Sequence, residues 1–380
     1  MDNKEPNILL HNKTDKPDNI VRKENLILDQ CEEIERKLPG FLRGYFLYLK
    51  SAVLPMTRLA YLRDVYFFLQ YLIQETDLTR AETPKQIRQE DLAAVNGMDV
   101  NLFLDYCRRY KVEKENTVHI YKNDKRALYR KRSSLSVFFK CLHRLGLIPD
   151  NITDTFDPIK VPKPSEKEIK ALQDDEVMRM LDAVSTGTHL TKREHDFWEK
   201  TKYRDKAILT LFLTYGLRLS ELRELNVSSF NFNRGEFKIY RKRGKESMMP
   251  INRSVEKALT EYFELERAKD DALAEEEKDA AFLSLQGKRM TERQIRELVK
   301  KYTSIGMETA RSAGYSPHKL RATAATSLIG RGNSIYDVQA LLDHENVTTT
   351  QLYAAHKLNV KRDLVRNFEW DEEFDRDFKE

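Results

Sequence analysis

The stretch SPHKLRATAATSLI, residues 316–329, reads as a helix whose first turn carries chemistry. Pro317 fits the first helical position, where its missing N–H costs nothing. His318 and Arg321 stand three residues apart and so point the same way. Ala322, Ala324 and Ala325 keep the side chains small and permit a close backbone approach.

Two further pieces lie on either side of it. Downstream, LLDHENVTTTQLYAAH (341–356) places His344 after an apolar helix end and before a loop. Thr348 can cap the helix that follows, and Tyr353 sits within that helix. Upstream, GLRLSELREL (216–225) sets Arg218 and Glu221 three apart on one helical face, with Leu217, Leu219, Leu222 and Leu225 available as core anchors. Between these, GEFKIYR (235–241), the polar turn KRGKES (242–247) and MMPIN (248–252) read as a β-hairpin with Lys242 and Lys245 in its exposed turn.

Taken singly, each piece has an ordinary explanation: a surface ion pair, a solubilising turn lysine, a half-buried tyrosine. Together they offer two guanidiniums, two imidazoles, a lysine and a tyrosine. The sequence has no metal-ligand spacing around His318 or His344, no paired carboxylates to hold magnesium, and neither a GxxxxGK[ST] loop nor a GxGxxG motif. Guanidiniums and imidazoles clamp phosphate oxygens well. Without a metal they must supply the charge stabilisation that phosphoryl transfer needs. A tyrosine hydroxyl can be the nucleophile and a lysine can protonate the leaving oxygen. The set suits phosphodiester transesterification, with no cofactor and no metal.

At these residues the chain resembles the tyrosine recombinases, the family of phage integrases and Xer proteins. The matching stretches are TYGLRLSEL (214–222), RKRGKE (241–246), PHKLR (317–321) and LLDHENVTTTQLYAAH (341–356). The resemblance implies catalytic roles for Arg218, Lys242, His318, Arg321, His344 and Tyr353. Tyr353 would be the nucleophile that forms a 3′-phosphotyrosyl link. Arg218, Arg321 and His344 would hold the non-bridging oxygens, Lys242 would be the general acid, and His318 would assist. Glu221 would order the first arginine, and Lys245 is the second choice for the hairpin lysine. Two residues depart from the family pattern. Ala322 stands where many relatives have His, and Asp343 stands where many have Gly, bringing a negative charge near a phosphate site.

The resemblance also implies a fold: mainly α with a small β-sheet, a SAM-like helical core-binding domain followed by a catalytic domain of the DNA breaking-rejoining type. Helical periodicity and linker composition divide the chain into a flexible arm (1–27), the core-binding domain (28–147), a proline-rich linker (148–165), the catalytic domain (166–368) and an acidic, aromatic tail (369–380). The charged stretch before Asn123 reads as a loop, residues 253–279 as helix, and AAFLSL (280–285) as a short strand.

Net charge is +5, but the distribution is uneven. Segment 111–132 holds eight Lys and Arg against three acids, and segment 369–380 seven acids against two bases. A basic face and a separate acidic tail follow. Arg126, Arg130, Lys131 and Arg132, with Lys245, are the expected DNA contacts. The implied partners are duplex DNA with an inverted-repeat core site and further copies of the chain, two on a site and four in a synapse. The N-terminal pattern is most similar to the single-recombinase XerS type, which brings in chromosome-dimer resolution at a dif-like site and an FtsK-like translocase. Integration or excision of a prophage or transposon is the alternative. A DNA-binding protein with weakened chemistry is the alternative from another class.

Composition adds limits. Hydrophobic residues make up 40% and charged residues 33%, ordinary for a folded chain, and no apolar run approaches the length of a membrane span. The opening residues lack a signal-peptide core. Cys31, Cys107 and Cys141 are too widely spaced for a disulfide framework or a metal site. A cytoplasmic chain is the expectation.

Overall fold

A computed structural model describes residues 16–114, 117–161, 170–241, 244–267 and 272–343. The chain divides into two compact units, Met1–Pro162 and Lys163–Glu380. Among the described residues, no helix is long and apolar enough to cross a membrane. The helix expected after Thr348, the tail (369–380) and the first fifteen residues lie outside the described residues, as do Lys242, His344 and Tyr353.

The first unit is built from α1 (Asp18–Arg36), α2 (Arg43–Ala52), α3 (Pro55–Glu75), α4 (Gln89–Ala93), α5 (Gly97–Tyr106), a hairpin of β1 (Arg109–Lys114) and β2 (Thr117–Lys122), and α6 (Lys125–Arg144). Pro55 opens α3 from its first turn, and Asp124 caps α6 by accepting from the Ala127 N–H. Leu62, Val65, Phe68 and Leu69 of α3 meet Phe103 of α5 and Leu135, Phe138 and Phe139 of α6 in one core. Cys31, Cys107 and Cys141 are buried free thiols in this unit, and burial pushes the Cys107 thiol up to about 12.

Two expectations change here. Residues 18–27 belong to α1 and are not a loose arm. This polar helix buries only Cys31 fully and lies along α3, so its apolar signal is thin. The charged stretch before Asn123 is the β1–β2 hairpin, an antiparallel pair that sets Tyr110 opposite Tyr121.

The second unit holds α7 (Asp174–Thr186), α8 (Lys192–Trp198), α9 (Lys202–Tyr215), α10 (Leu219–Arg223), strands β3 (Phe230–Asn231), β4 (Glu236–Tyr240) and β5 (Glu246–Pro250), then α11 (Arg253–Leu265), α12 (Glu292–Gly306), α13 (Pro317–Gly330) and α14 (Ile335–Leu342). The sheet order is β3-β4-β5, all antiparallel, with Tyr240 opposite Glu246 at the turn. The all-round apolar α9 sits in the middle, packed by α7, α11 and α13. No side chain of its own N-cap residue closes its N-terminus. Glu266, just past α11, accepts from the Tyr203 N–H at 2.8 Å and the Arg204 N–H at 3.3 Å instead. Burial raises the pKa of this carboxyl to about 7.

Two sequence readings fail in this unit. The helix expected over 253–279 ends at Leu265. Residues 280–285 form no strand, only isolated bridges Asn226–Ala280 and Leu283–Arg289. Their backbone is spent on those links and on loop hydrogen bonds such as Ala281 N–H to Leu225 O.

Candidate active site

Gly216 ends α9 in the left-handed region, at φ +57°, which favours glycine. Space demands glycine there too, because a Cβ would meet Leu342 Cδ2 at 2.6 Å. The turn hands the chain to Arg218, the residue before α10. Glu221, buried in that helix, reaches back to it twice. Its Oε2 accepts from the Arg218 backbone N–H at 2.7 Å, and its Oε1 from Arg218 Nη1 at 2.6 Å. Spacing of three residues makes both bonds possible.

The other guanidinium nitrogen, Arg218 Nη2, donates to the carbonyl of Asp343 at 3.1 Å. Arg321 arrives from the second turn of α13. Its Nη1 donates to Gly216 O at 2.7 Å and its Nη2 to Leu342 O at 2.6 Å. The two arginines named from sequence therefore meet at the C-terminal end of α14. Arg218 keeps a third of its side chain exposed, whereas Arg321 is buried.

Sequence reasoning missed a third guanidinium there. Arg241 is buried at the end of β4, donating to Leu341 O at 2.8 Å and Leu342 O at 3.1 Å. Among the described residues, the carboxylate it faces is Glu221, with Oε1 at 4.0 Å from Nη1. Burial holds its pKa below the usual arginine range. A signal was available: Phe237, Ile239 and Arg241 share the period-2 face that is buried, while Glu236, Lys238 and Tyr240 alternate with them.

Asp343 closes α14 in the left-handed region, at φ 52° and ψ 52°. Its Oδ1 accepts from Lys245 Nζ at 2.8 Å, and that bond is the main cause holding its carboxyl below the usual range. Ala322 is buried against Val338 and Leu342, where helices α13 and α14 pack together. His318 stands in the first turn of α13. Partial desolvation, then the charges of Arg321 and Lys319, lower its pKa, so the ring favours the neutral form that can accept a proton.

The basic side of α6 is more committed than its sequence suggested. Arg126 is exposed. Arg130 pairs with Asp64 through both of its terminal nitrogens, and Lys131 Nζ reaches the same carboxylate at 3.1 Å. Arg132 donates to Asp157 O at 2.8 Å and Phe156 O at 3.1 Å. For Lys131 this corrects the expectation of a DNA contact. It is buried, with its ammonium over the Phe67 ring at 5.0 Å, because Asp64 inside α3 needs a cation.

Comparison with known proteins agrees with this geometry. Residues 170–359 match the phage integrase family. A tyrosine recombinase XerC from Caldanaerobacter subterraneus is 30% identical over 324 residues, 83% of each chain. The XerC of Chlamydia muridarum is 28% identical over 320 residues, 83% of this chain and 93% of that protein. The XerH recombinase solved with its difH substrate superimposes with a TM-score of 0.56 at 17% identity, covering 92% of this chain and 89% of that one. The mainly helical two-domain fold is the recombinase fold. The chain belongs to the phage integrase family, the tyrosine recombinases, enzymes that cleave and rejoin DNA.

Proposed function

We propose that the chain is a site-specific recombinase that cuts duplex DNA through Tyr353 and works as a tetrameric synapse. The meeting of Arg218 and Arg321 at the end of α14, directly before His344, is the observation that carries this reading. The Tyr353 hydroxyl passes its proton to His318 as its oxygen attacks the scissile phosphorus and the bond to the 5′ oxygen breaks. Lys242 gives that oxygen a proton, and the 3′ phosphate stays on the tyrosine. Attack by a 5′-hydroxyl of the partner strand reverses the step, so the bond energy is retained. Arg218, Arg321 and His344 hold the non-bridging oxygens, His318 assists proton movement, and Glu221 orders Arg218. Lys245 and Arg126 contact the DNA backbone.

The site is a dif-like inverted repeat, and the role is chromosome-dimer resolution with an FtsK-like translocase. The XerC names of the relatives and the difH substrate of XerH support this reading. The test begins by recovering the preferred sequence from a random duplex library. A nicked duplex carrying it should trap a covalent adduct, and Tyr353→Phe should bind equally and trap none. No adduct from wild type on the recovered site would leave a DNA-binding protein with weakened chemistry. A recovered sequence lying at the ends of a mobile element, rather than once in the chromosome, would transfer the role to integration.

A further inference from the structure

The strongly basic segment 111–132 is divided by the structure into two halves of different availability. In the helical half, Arg130, Lys131 and Arg132 are engaged by Asp64 and by backbone carbonyls, and only Lys125 and Arg126 at its start are exposed without such ties among the described residues. In the hairpin half, Lys111 and Lys122 are exposed, as is Arg109 just before the segment. The β1–β2 register pairs Arg109 with Lys122, Tyr110 with Tyr121, Lys111 with Ile120, Val112 with His119 and Glu113 with Val118. Directly opposed residues share a face, and faces alternate along each strand.

One face is an anchor. Tyr110 and Tyr121 stack at 5.2 Å, and Tyr110 continues onto Tyr106 at 5.7 Å and Phe67 at 5.1 Å. That stack seats the hairpin on α3 and α5. The other face carries Arg109, Lys111 and Lys122 beside Val118 and Ile120, which are 52% and 51% exposed. Glu113 is the one acid on it. Among the described residues, none of the three cations has a carboxylate partner.

We propose that this face of the β1–β2 hairpin is a second duplex-DNA contact surface, with Arg109, Lys111 and Lys122 on phosphates and Val118 and Ile120 against base edges. Charge decides the occupant: three cations without a carboxylate partner among the described residues, against one acid, favour a polyanion over a second copy of the chain. Shape agrees, since a two-stranded ribbon fits the major groove and aliphatic side chains can meet thymine methyl groups there. The aromatic anchor holds the ribbon in one orientation, which lowers the ordering cost of binding. The inference rests on the recombinase reading and adds a substrate surface to it.

The test uses the full chain and a labelled random-sequence duplex, titrated over a salt series. The triple variant Arg109→Gln/Lys111→Gln/Lys122→Gln leaves the aromatic anchor intact, and an unchanged melting temperature checks that it folds. Each phosphate contact contributes about 0.9 to the slope of log affinity on log salt, so the slope should become shallower by roughly 2 to 3. Affinity at low salt should fall by roughly tenfold or more. Equal affinity and slope in a folded triple variant would overturn the hairpin surface while leaving the recombinase reading standing. A wild type that binds no duplex would overturn both. Sedimentation of Val118→Ser/Ile120→Ser covers the remaining occupant: loss of a DNA-free dimer with DNA affinity unchanged would make the face a self-interface and overturn the proposal.

Discussion

Arg218 and Arg321 donate to consecutive carbonyls, those of Asp343 and Leu342. They are 103 positions apart in sequence, yet the same turn of backbone holds both. Arg241 takes the carbonyl before that pair and shares Leu342 O. The negative end of α14 is thus the hub on which three guanidiniums are arranged. Its own exit residue, Asp343, is tied to the hairpin lysine Lys245. Each tie can be cut separately.

Gly216→Ala tests the seat of this hub. A residue with a Cβ pays about 1 kcal/mol in the left-handed region. The new methyl also presses on Leu342 at 2.6 Å, and overpacking of this kind costs about 1–3 kcal/mol. Urea unfolding should show a loss of about 2–4 kcal/mol from the two terms. Adduct formation should fall too, because the displaced Leu342 carbonyl holds Arg321.

Arg241→Met removes the third guanidinium at nearly constant volume. Leu341 O loses its partner, a cost of about 1–3 kcal/mol. Releasing a buried cation whose acid is 4.0 Å away offsets part of that. The sharper effect should be on rate. With the end of α14 loosened, single-turnover cleavage at saturating DNA should drop by roughly tenfold or more, since small misplacements of reacting groups are expensive. DNA affinity should hold. Equal losses of affinity and rate would instead mark general unfolding.

Asp343→Gly restores the residue that the family resemblance leads one to expect. Glycine removes the left-handed penalty of about 1 kcal/mol. It also breaks an exposed ion pair with Lys245, worth about 0–1 kcal/mol, so stability should barely change. The Asp343 carbonyl that holds Arg218 is backbone and survives. Removing a carboxylate held in its charged form should speed phosphate cleavage several-fold, read as the rate of adduct formation on a nicked duplex.

Glu266 predicts a pH slope. Its carboxyl binds a proton more tightly when folded, at about 7, than when unfolded, near the ordinary 4.5. Folding therefore takes up a proton between those values. Stability from this group is greatest at the acid end, falls as pH rises from 4.5 to 7, and levels off above. Melting the full chain and Glu266→Gln at pH 5, 6, 7 and 8 should show the variant gaining on wild type across that window.

The sequence made the hub legible where a pattern and a chemistry coincided. The helix read over 316–329 is α13, with Pro317 at its start. The β4–β5 hairpin is present as read, but β5 starts at Glu246, two residues inside the expected turn, and β3 adds two residues beyond it. What escaped was structure without a burial signal. All six residues of β2 are exposed, and Glu115–Asn116 is not a glycine turn of the kind that advertises a hairpin. Arg241 escaped because an arginine beside a turn reads as surface charge. Lys131 misled for the converse reason: Asp64 sits 67 positions earlier, inside an apolar helix, and nothing local pairs the two.

The three buried thiols give the molecule a built-in reporter. Every cysteine of the chain lies before residue 142, and all three are sequestered in the first core. Burial also keeps them protonated and unreactive. A thiol-modifying dye will therefore label the protein only as fast as the amino-terminal half opens, and it is blind to the half that bears the arginines. Pulse labelling followed by mass counting can time the breathing of one half inside the intact enzyme, with no engineered probe.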